Sequence, residues 1–575
     1  AQDGQPIEEL DFNAYLRVKE DGRVDCFTGK IEMGQGIITS LAQVVAEELE
    51  VSIYDVDMVM GDTELCPYDR GTWGSLTTRF IDPVLRAAAS EAREVILDLA
   101  AEHFDLDKTS LEVKEGVVSV KNDSSKKISY AELTKGKKIV RSLTKKPSVK
   151  KAKDFKLIGK PIRSLDAEAK VTGKAKYSAD ILLPGMVHDT IVSPEVFGSK
   201  KVKVDASKLS DFPGIQLVEK DDLVAVVHRD PEVSNQAAKS IKVTWDAPDA
   251  KVNQESIFQY LEDTIQENEV FEREGSLELG KEVSTNYREA TYHDGYKAHA
   301  TIETHVATCY FEGDKVTIWA STQSPFGTRS AVARALQMAE EKVHVRQIFL
   351  GGGFGGKSNS QQSVEAATIA KLCGKPVQLV WSRKEEFMYD NFRTAAVVKV
   401  AAGADSNGKL KVWDFDIYCA GTRGTQLFYD IPNKRTRSFN QSGVHPFGTG
   451  AWRAPGNNTT TFARESHIDV VSHAAGIDPL DFRLNNLDSK EMIETLKLAA
   501  RSFGYGKEKK PGHGYGIALG QDAGTLVAMI AEVFVDKKTG EVQPIRIVCA
   551  QDMGQVVNPH GATLQTEGGI TMGIG

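Results

Sequence analysis

Two polar stretches break the hydrophobic patterning of this chain and decide how it can fold. Residues 136–155 are lysine-rich and aperiodic, and residues 249–285 are polar and glutamate-rich. Segments of this composition bury little apolar surface and read as linkers. They matter because the chain has 575 residues, roughly twice what one hydrophobic core supports. A multi-domain protein follows, and the polar breaks mark where its joints should lie.

Between the breaks the hydrophobic period changes repeatedly. Phe12 to Val18 alternates, Glu20-Asp21-Gly22 offers a turn, and Val24 to Phe27 alternates again, which predicts a hairpin. Apolar spacing from Leu41 to Leu49 predicts a helix, and the alanine-rich run Asp82 to Phe104 predicts another. From about Leu157 to Pro248 short β-like runs dominate, such as Leu223 to Val227. One helical stretch, Ser234 to Ile241, interrupts them, so this part reads as a small α+β domain. Further on, Val316–Ala320, Val343–Leu350 and Val377–Trp381 read as strands, alternating with helices at Thr328–Met338 and Gln361–Leu372. The section from Gly512 is again β-rich, and Ile570 to Gly575 reads as the opening of a helix. The expected fold class is α+β, divided as 1–150, 151–250, 251–490 and 491–575.

Composition excludes several functions. The formal net charge is -9 and the lysine clusters (Lys135, Lys137 and Lys138, then Lys145 to Lys153) are short, so no basic stripe is available for nucleic acid. No run of eighteen apolar residues exists to span a membrane. Cys26, Cys66, Cys309, Cys373, Cys419 and Cys549 are scattered, with no C-x-x-C pair. That argues against zinc or an iron–sulfur cluster held by this chain alone. If the protein moves electrons, the receiving clusters sit on a partner. The chain begins Ala1-Gln2-Asp3-Gly4, a start that a removed export signal or a trimmed chain would both produce.

Three glycine segments are candidates for chemistry: Lys30 to Gly36, Gly351 to Lys357, and Gln565 to Gly569. Glycine lets backbone N–H groups approach a ligand, and a helix N-terminus adds positive potential, which suits phosphate or an oxo group. Tight turns are the plain alternative. Gly351, Gly353 and Gly356 also satisfy G-x-G-x-x-G between a predicted strand and a predicted helix. The next strand ends in Ser382-Arg383 rather than an acidic residue, so NADP would be the dinucleotide to weigh.

Taken in order, Trp319 to Pro325, Gly351 to Lys357, Ala451 to Gly456, Asp552-Met553-Gly554 with Asn558-Pro559, and Gln565 to Gly569 resemble the molybdenum-binding subunit of the xanthine dehydrogenase and aldehyde oxidase family. Met33 to Gly36 and Gly71 to Thr78 resemble pieces that in xanthine dehydrogenase follow the arginine motif; here they come first. That permuted order is similar to the large subunits of bacterial isoquinoline oxidoreductase and nicotinate dehydrogenase. Asp154 to Pro161, running into Lys170 to Gly173, resembles the start of the family's small hammerhead domain.

The resemblance implies a molybdenum hydroxylase subunit, which oxidises an aldehyde or N-heteroaromatic with water-derived oxygen. The implied cofactor is a molybdopterin cytosine dinucleotide carrying molybdenum, with no direct protein ligand to the metal. Gln323 would hydrogen-bond its oxo ligand; backbone at Gly353, Phe354 and Gly355, and near Arg453, would face the metal ligands. Gln35, Gly36, Gly74, Ser75, Thr77, Thr78 and Gln565 would hold the pterin and its pyrophosphate. The implied partners are a [2Fe–2S] small subunit and a cytochrome or flavin subunit. The family's catalytic glutamate lies in a Gly-Glu motif that would fall beyond Gly575, so no catalytic residue is assigned, and a second chain or a further segment is expected to carry it. After the glycine loop, Ser358 stands where the family often has a glutamate. Relatives of the permuted type are frequently exported, which points to the periplasm, with the cytoplasm as the alternative. A non-catalytic scaffold of the same fold and an NADP-dependent dehydrogenase using Gly351–Gly356 are the alternatives.

Overall fold

The computed structural model describes residues 14–135, 149–250, 252–346 and 348–575. Most of the lysine-rich linker and the first residues of the predicted hairpin, Phe12 and Asn13, lie outside them. Helix and strand are mixed throughout, as expected for α+β. Two compact units arise from interleaved stretches of chain. The first combines Ala1–Pro248, His299–Asp390 and Val556–Gln565; the second combines Asp249–Ala298, Asn391–Gln555 and Thr566–Gly575.

In the first unit β1 (Leu16–Val18) and β2 (Val24–Thr28) form the expected antiparallel pair. Then α1 (Ile37–Leu49) crosses over to β3 (Val56–Met60), which pairs with β2 in parallel. Leu41, Val45 and Leu49 of α1 share a core with Leu85, Ala89 and Ile96 of α2 (Asp82–Phe104). The buried Glu47 ties α1 to residues 150–158. Its carboxylate accepts from the backbone N–H of Lys156, Leu157 and Ile158 at 2.8, 2.5 and 3.1 Å, and from Lys150 Nζ at 3.1 Å. Burial alone would raise its pKa, but these donors outweigh it and hold the carboxyl below its ordinary value. Residues 150–155, expected to be linker, are therefore anchored.

A seven-stranded sheet follows in the order Val343–Arg346, Lys315–Ala320, Val306–Glu312, Val377–Val380, Val187–Ile191, Leu223–His228, Gln216–Lys220. Val377–Val380 pairs in parallel with Val187–Ile191, so strands from either side of residue 250 share one sheet. Helices Pro325–Leu336 and Gln361–Cys373 cover it, through Val332, Ala366 and Ile369.

In the second unit five strands run in the order Asn268–Glu274, Lys434–Phe439, Leu410–Tyr418, Ala396–Ala404, Asn286–Asp294. Helix Asn457–Ala475 packs on this sheet, and helix Lys490–Phe503 packs on a three-stranded meander from His513 to Asp552.

Two expectations are corrected. Residues 249–285 are no linker. They form helix Ile257–Thr264, edge strand Asn268–Glu274 and helix Leu277–Glu282. An edge strand can be polar because one side faces solvent, and Ile257, Leu261 and Ile265 suffice to dock the helix. Gln565 to Gly569 is no loop either: it lies within helix Pro559–Ile574.

Candidate functional site

Four segments of the first unit converge on Thr72 and Gln323. Thr72 N donates to the Gln323 carbonyl and Gln323 Nε2 donates to the Thr72 carbonyl, both at 2.9 Å. The Ile31 N–H donates to Thr72 Oγ1 at 2.9 Å. Gln323 N donates to the Lys357 carbonyl at 2.7 Å, and Gly355 N donates to Gln323 Oε1 at 2.9 Å. Gln323 is 2% exposed, and a buried amide holds its place only when partnered. An amide nitrogen carries two N–H groups, of which the bond to Thr72 uses one.

The glycine loop is shaped by that contact. Gly352, Phe354 and Gly355 take positive φ of 95, 55 and 112°. A Cβ on Gly353 would lie 2.5 Å from Gln323 Oε1, so only glycine permits this approach. The loop runs into a single 3₁₀ turn, Gly356–Ser358, and the following helix starts only at Gln361. The glycines therefore do not open a helix as a dinucleotide fingerprint requires. Arg383, the residue an NADP phosphate would need, donates to the carbonyls of Thr301 and Ile302 at 2.6 and 3.2 Å. The NADP alternative is thereby disfavoured.

The two helix N-termini near this site differ. At α1, the buried Glu32 carboxylate accepts from Gly34 N and Gly36 N at 2.8 and 3.0 Å, and from Ile38 N at 3.0 Å. The chain thus fills its own anion site there, and Gly36, with φ 83°, serves the turn. Gln35 folds back on the loop: Oε1 accepts from Met33 N at 2.6 Å and Nε2 donates to the Ile31 carbonyl at 3.0 Å. Gln565 is exposed and its Nε2 donates to the Gly34 carbonyl at 3.3 Å. At α2, Gly74 and Ser75 have φ of 65 and 57°, and Thr77–Ile81 forms a π-helical turn leading into the helix. Leu76 at the cap position offers no side-chain acceptor. Ser75 and Thr78 are exposed and Thr77 is buried. Arg453 lies in the second unit, half-buried, with φ 22° beside Ala454 at 57°. Its guanidinium sits 5.2 Å from the Trp452 ring centre, and burial lowers its pKa.

Comparison with known proteins now decides the family. Two profiles, both described as "Molybdopterin cofactor-binding domain", match residues 261–487 and, in two pieces, residues 4–179 and 466–575. A nicotinate dehydrogenase subunit of Pseudomonas putida is 27% identical over 98% of this chain and 52% of its own length. The beta subunit of isoquinoline 1-oxidoreductase from Brevundimonas diminuta is 26% identical over 100% of this chain and 83% of its own. Among solved structures, aldehyde oxidoreductase from Desulfovibrio gigas superposes with a TM-score of 0.54 at 18% identity, over 89% of this chain and 60% of that one. The chain belongs to the molybdenum-binding subunits of the xanthine dehydrogenase family. It spans about half the length of its nicotinate dehydrogenase relative. The split match of the second profile on both sides of the first agrees with the permuted motif order read from the sequence.

For a member of the xanthine dehydrogenase family, the structure adds residues that motif reading missed. Thr72 is the hub of three segments, and Glu32 is the internal cap of α1. Behind the glycine loop, His299, Thr301, Glu303 and His305 recur at every second position. His299 Nδ1 pairs with Asp390 at 2.6 Å, and His305 Nδ1 with Glu386 at 2.9 Å. Glu386 is buried, which raises a carboxyl, but its bonds to His305 hold it below the ordinary value. The signal was present as polar residues at every second position just before strand Val306–Glu312, in a segment that is irregular rather than a strand.

Proposed function

We propose that this chain is the molybdopterin-binding part of an oxidoreductase that hydroxylates an electron-poor carbon of an aldehyde or N-heteroaromatic, with oxygen derived from water. The observation that carries this reading is the convergence of the Lys30–Gly36, Gly71–Thr78, Trp319–Pro325 and Gly351–Lys357 segments on the Thr72–Gln323 pair. Motifs far apart in sequence meet in one amide-rich site, with a glycine cradle at Gly353 that any Cβ would fill. That donor set suits a pterin edge and oxo-type acceptors. The uncapped N-terminus at Ser75–Thr78 suits the pyrophosphate, with a cytosine dinucleotide as the proposed form. The α1 N-terminus does not suit an anion, because Glu32 already fills it.

In this proposal Gln323 presents its second amide N–H to the bound group, Gln35 and Gln565 border the pterin, and Ser75, Thr77 and Thr78 hold phosphate oxygens. Arg453 is proposed as a cofactor-contacting residue on the family resemblance alone. The cofactor, when bound, supplies the two-electron oxidation. The chain's own residues bind and orient it. Electrons pass to a [2Fe–2S] partner, because the six cysteines are separate free thiols; a cytochrome or flavin subunit is the next acceptor. Residues 1–150, 151–250, 251–490 and 491–575 are retained as the proposed sequence domains, and residence in the periplasm as a proposal from the permuted relatives. Among the described residues no helix is long and apolar enough to cross a membrane.

The test is metal and nucleotide analysis of the purified native complex, with mass spectrometry of every co-purifying chain. Molybdenum near one per chain, released CMP and an iron–sulfur subunit are expected. A complex with neither molybdenum nor pterin would overturn the reading.

A further inference from the structure

Glu303 lies behind the glycine loop rather than in it. Its Oε2 accepts from the Gly351 N–H at 2.8 Å and from the Lys357 ammonium at 2.7 Å. Gly351 and Lys357 are the first and last residues of the loop, so one carboxylate oxygen closes it. The approach is tight: a Cβ on Gly351 would lie 2.4 Å from Glu303 Cβ. Lys357 is completely buried, and an ammonium there is costly unless paired. The segment that carries Glu303 is irregular and is itself fixed by further bonds. Glu386 Oε2 accepts from the backbone N–H of His305 at 2.9 Å, and Thr301 Oγ1 donates to the Glu303 carbonyl at 2.6 Å. The loop closed in this way carries Gly355, whose N–H orients the Gln323 amide.

We infer that Glu303 is the positioning residue of the glycine loop: through Gly351 and Lys357 it sets the Gly353–Gly355 backbone, and through Gly355 it aims the Gln323 amide at the bound cofactor. The last step rests on the function proposed above; the closing of the loop does not. A charge-assisted bond to both ends of a seven-residue segment restricts it more than any bond inside the segment does. Outer supporting partners of this kind typically change activity about 10–100-fold when removed.

The experiment compares the native full-length complex with Glu303→Gln, Glu303→Ala and the double variant Glu303→Gln/Lys357→Met. Amide hydrogen exchange of the peptide covering Gly351–Lys357 is read first, with α1 as internal control. We expect exchange about tenfold faster or more in both single variants, with α1 unchanged. Turnover per bound molybdenum should fall about 10–100-fold with KM within about threefold. The double variant removes the unpaired buried ammonium, so its thermal stability should recover while loop exchange stays fast and turnover stays low. An ion pair that only stabilises the fold would let all three recover together, and that outcome overturns the inference. Native-like loop exchange in Glu303→Gln and Glu303→Ala also overturns it. Fast loop exchange in a protein whose native form holds no molybdenum would sink the proposed function and leave the loop closure standing.

Discussion

Gln323 shows how much one buried side chain can organise. Its amide joins Thr72 on one side and Gly355 on the other, and Gly353 is glycine because that amide leaves no room. Gly353→Ala places a methyl 2.5 Å from Gln323 Oε1. The loop and the amide must separate, at a cost of about 1–3 kcal/mol. The expected result is a lower denaturation midpoint together with loss of bound cofactor; an unchanged midpoint would mean that Gln323 yields freely. Glu32 makes a second residue-level prediction. Glu32→Ala uncovers the N–H groups of Gly34, Gly36 and Ile38, and destabilises by about 1–3 kcal/mol. Because it also opens the positive end of α1, inorganic phosphate should restore part of that loss in the variant and do nothing for the native chain. Thermal denaturation with and without phosphate reads both effects.

At the scale of elements, α1 and residues 150–158 stand or fall through Glu47. Its folded pKa is depressed below the ordinary 4.5, so its contribution is present above pH about 4.5 and is lost as pH falls through the folded value. Glu47→Ala leaves three backbone donors and Lys150 without their acceptor and should cost about 2–4 kcal/mol at pH 7. Urea denaturation at pH 7 and at pH 3.5 checks the sign, since the gap between native and variant must narrow at the lower pH. A gap that stays the same at both pH values would assign the effect to packing alone.

At the scale of the whole molecule, carboxyls of opposite tendency shape the pH profile. Burial pushes Asp82 up to about 6 and Glu365 up to about 7, the latter against hydrogen bonds from Gln361 and Trp381. Raised carboxyls favour the fold below their unfolded pKa values, and that advantage is lost as pH rises through about 6 and 7. Paired carboxylates such as Asp57, lowered to about 2 by Arg23 and Lys19, do the reverse and fail only in strong acid. The melting temperature should therefore decline from pH 5 to pH 8, and Glu365→Gln should flatten that decline; a parallel profile in the variant would exclude Glu365 as the cause. The thiols give a further whole-molecule measure. Cys26, Cys66, Cys309 and Cys419 are buried, whereas Cys373 and Cys549 are only partly so. Burial also pushes the Cys66 and Cys419 thiols up to about 11 and 12. A thiol reagent should thus modify at most the two partly buried cysteines before unfolding, and all six afterwards.

Much of this protein could be read locally. The helix Asp82–Phe104 was legible to the residue, and Gln361–Cys373 to within one, because 3.6-residue periodicity and helix propensity are properties of neighbouring residues. The glycine loop, the Gln323 motif and the permuted order of the segments were legible for the same reason, as strings of adjacent residues. Other features were not local. Asn268–Glu274 is a strand only because Lys434–Phe439 pairs with it, and its own polar sequence reads as linker. Val187–Ile191 and Val377–Val380 share a sheet across 186 positions of chain or more. Gln565–Gly569 looked like a turn from its glycines, yet lies in a helix. Thr72 and Glu32 lie inside recognised segments, but nothing in those strings marks out their roles, and Glu303 lies in no motif; Thr72 and Glu303 act through partners that arrive from distant segments. The sequence by itself thus determined the elements and the family, since both are written in short-range patterns. The tertiary structure alone decided which strands pair, which helix end the chain fills with its own carboxylate, and which carboxylate closes the glycine loop, because hydrogen bonding and burial depend on distance in space and not along the chain.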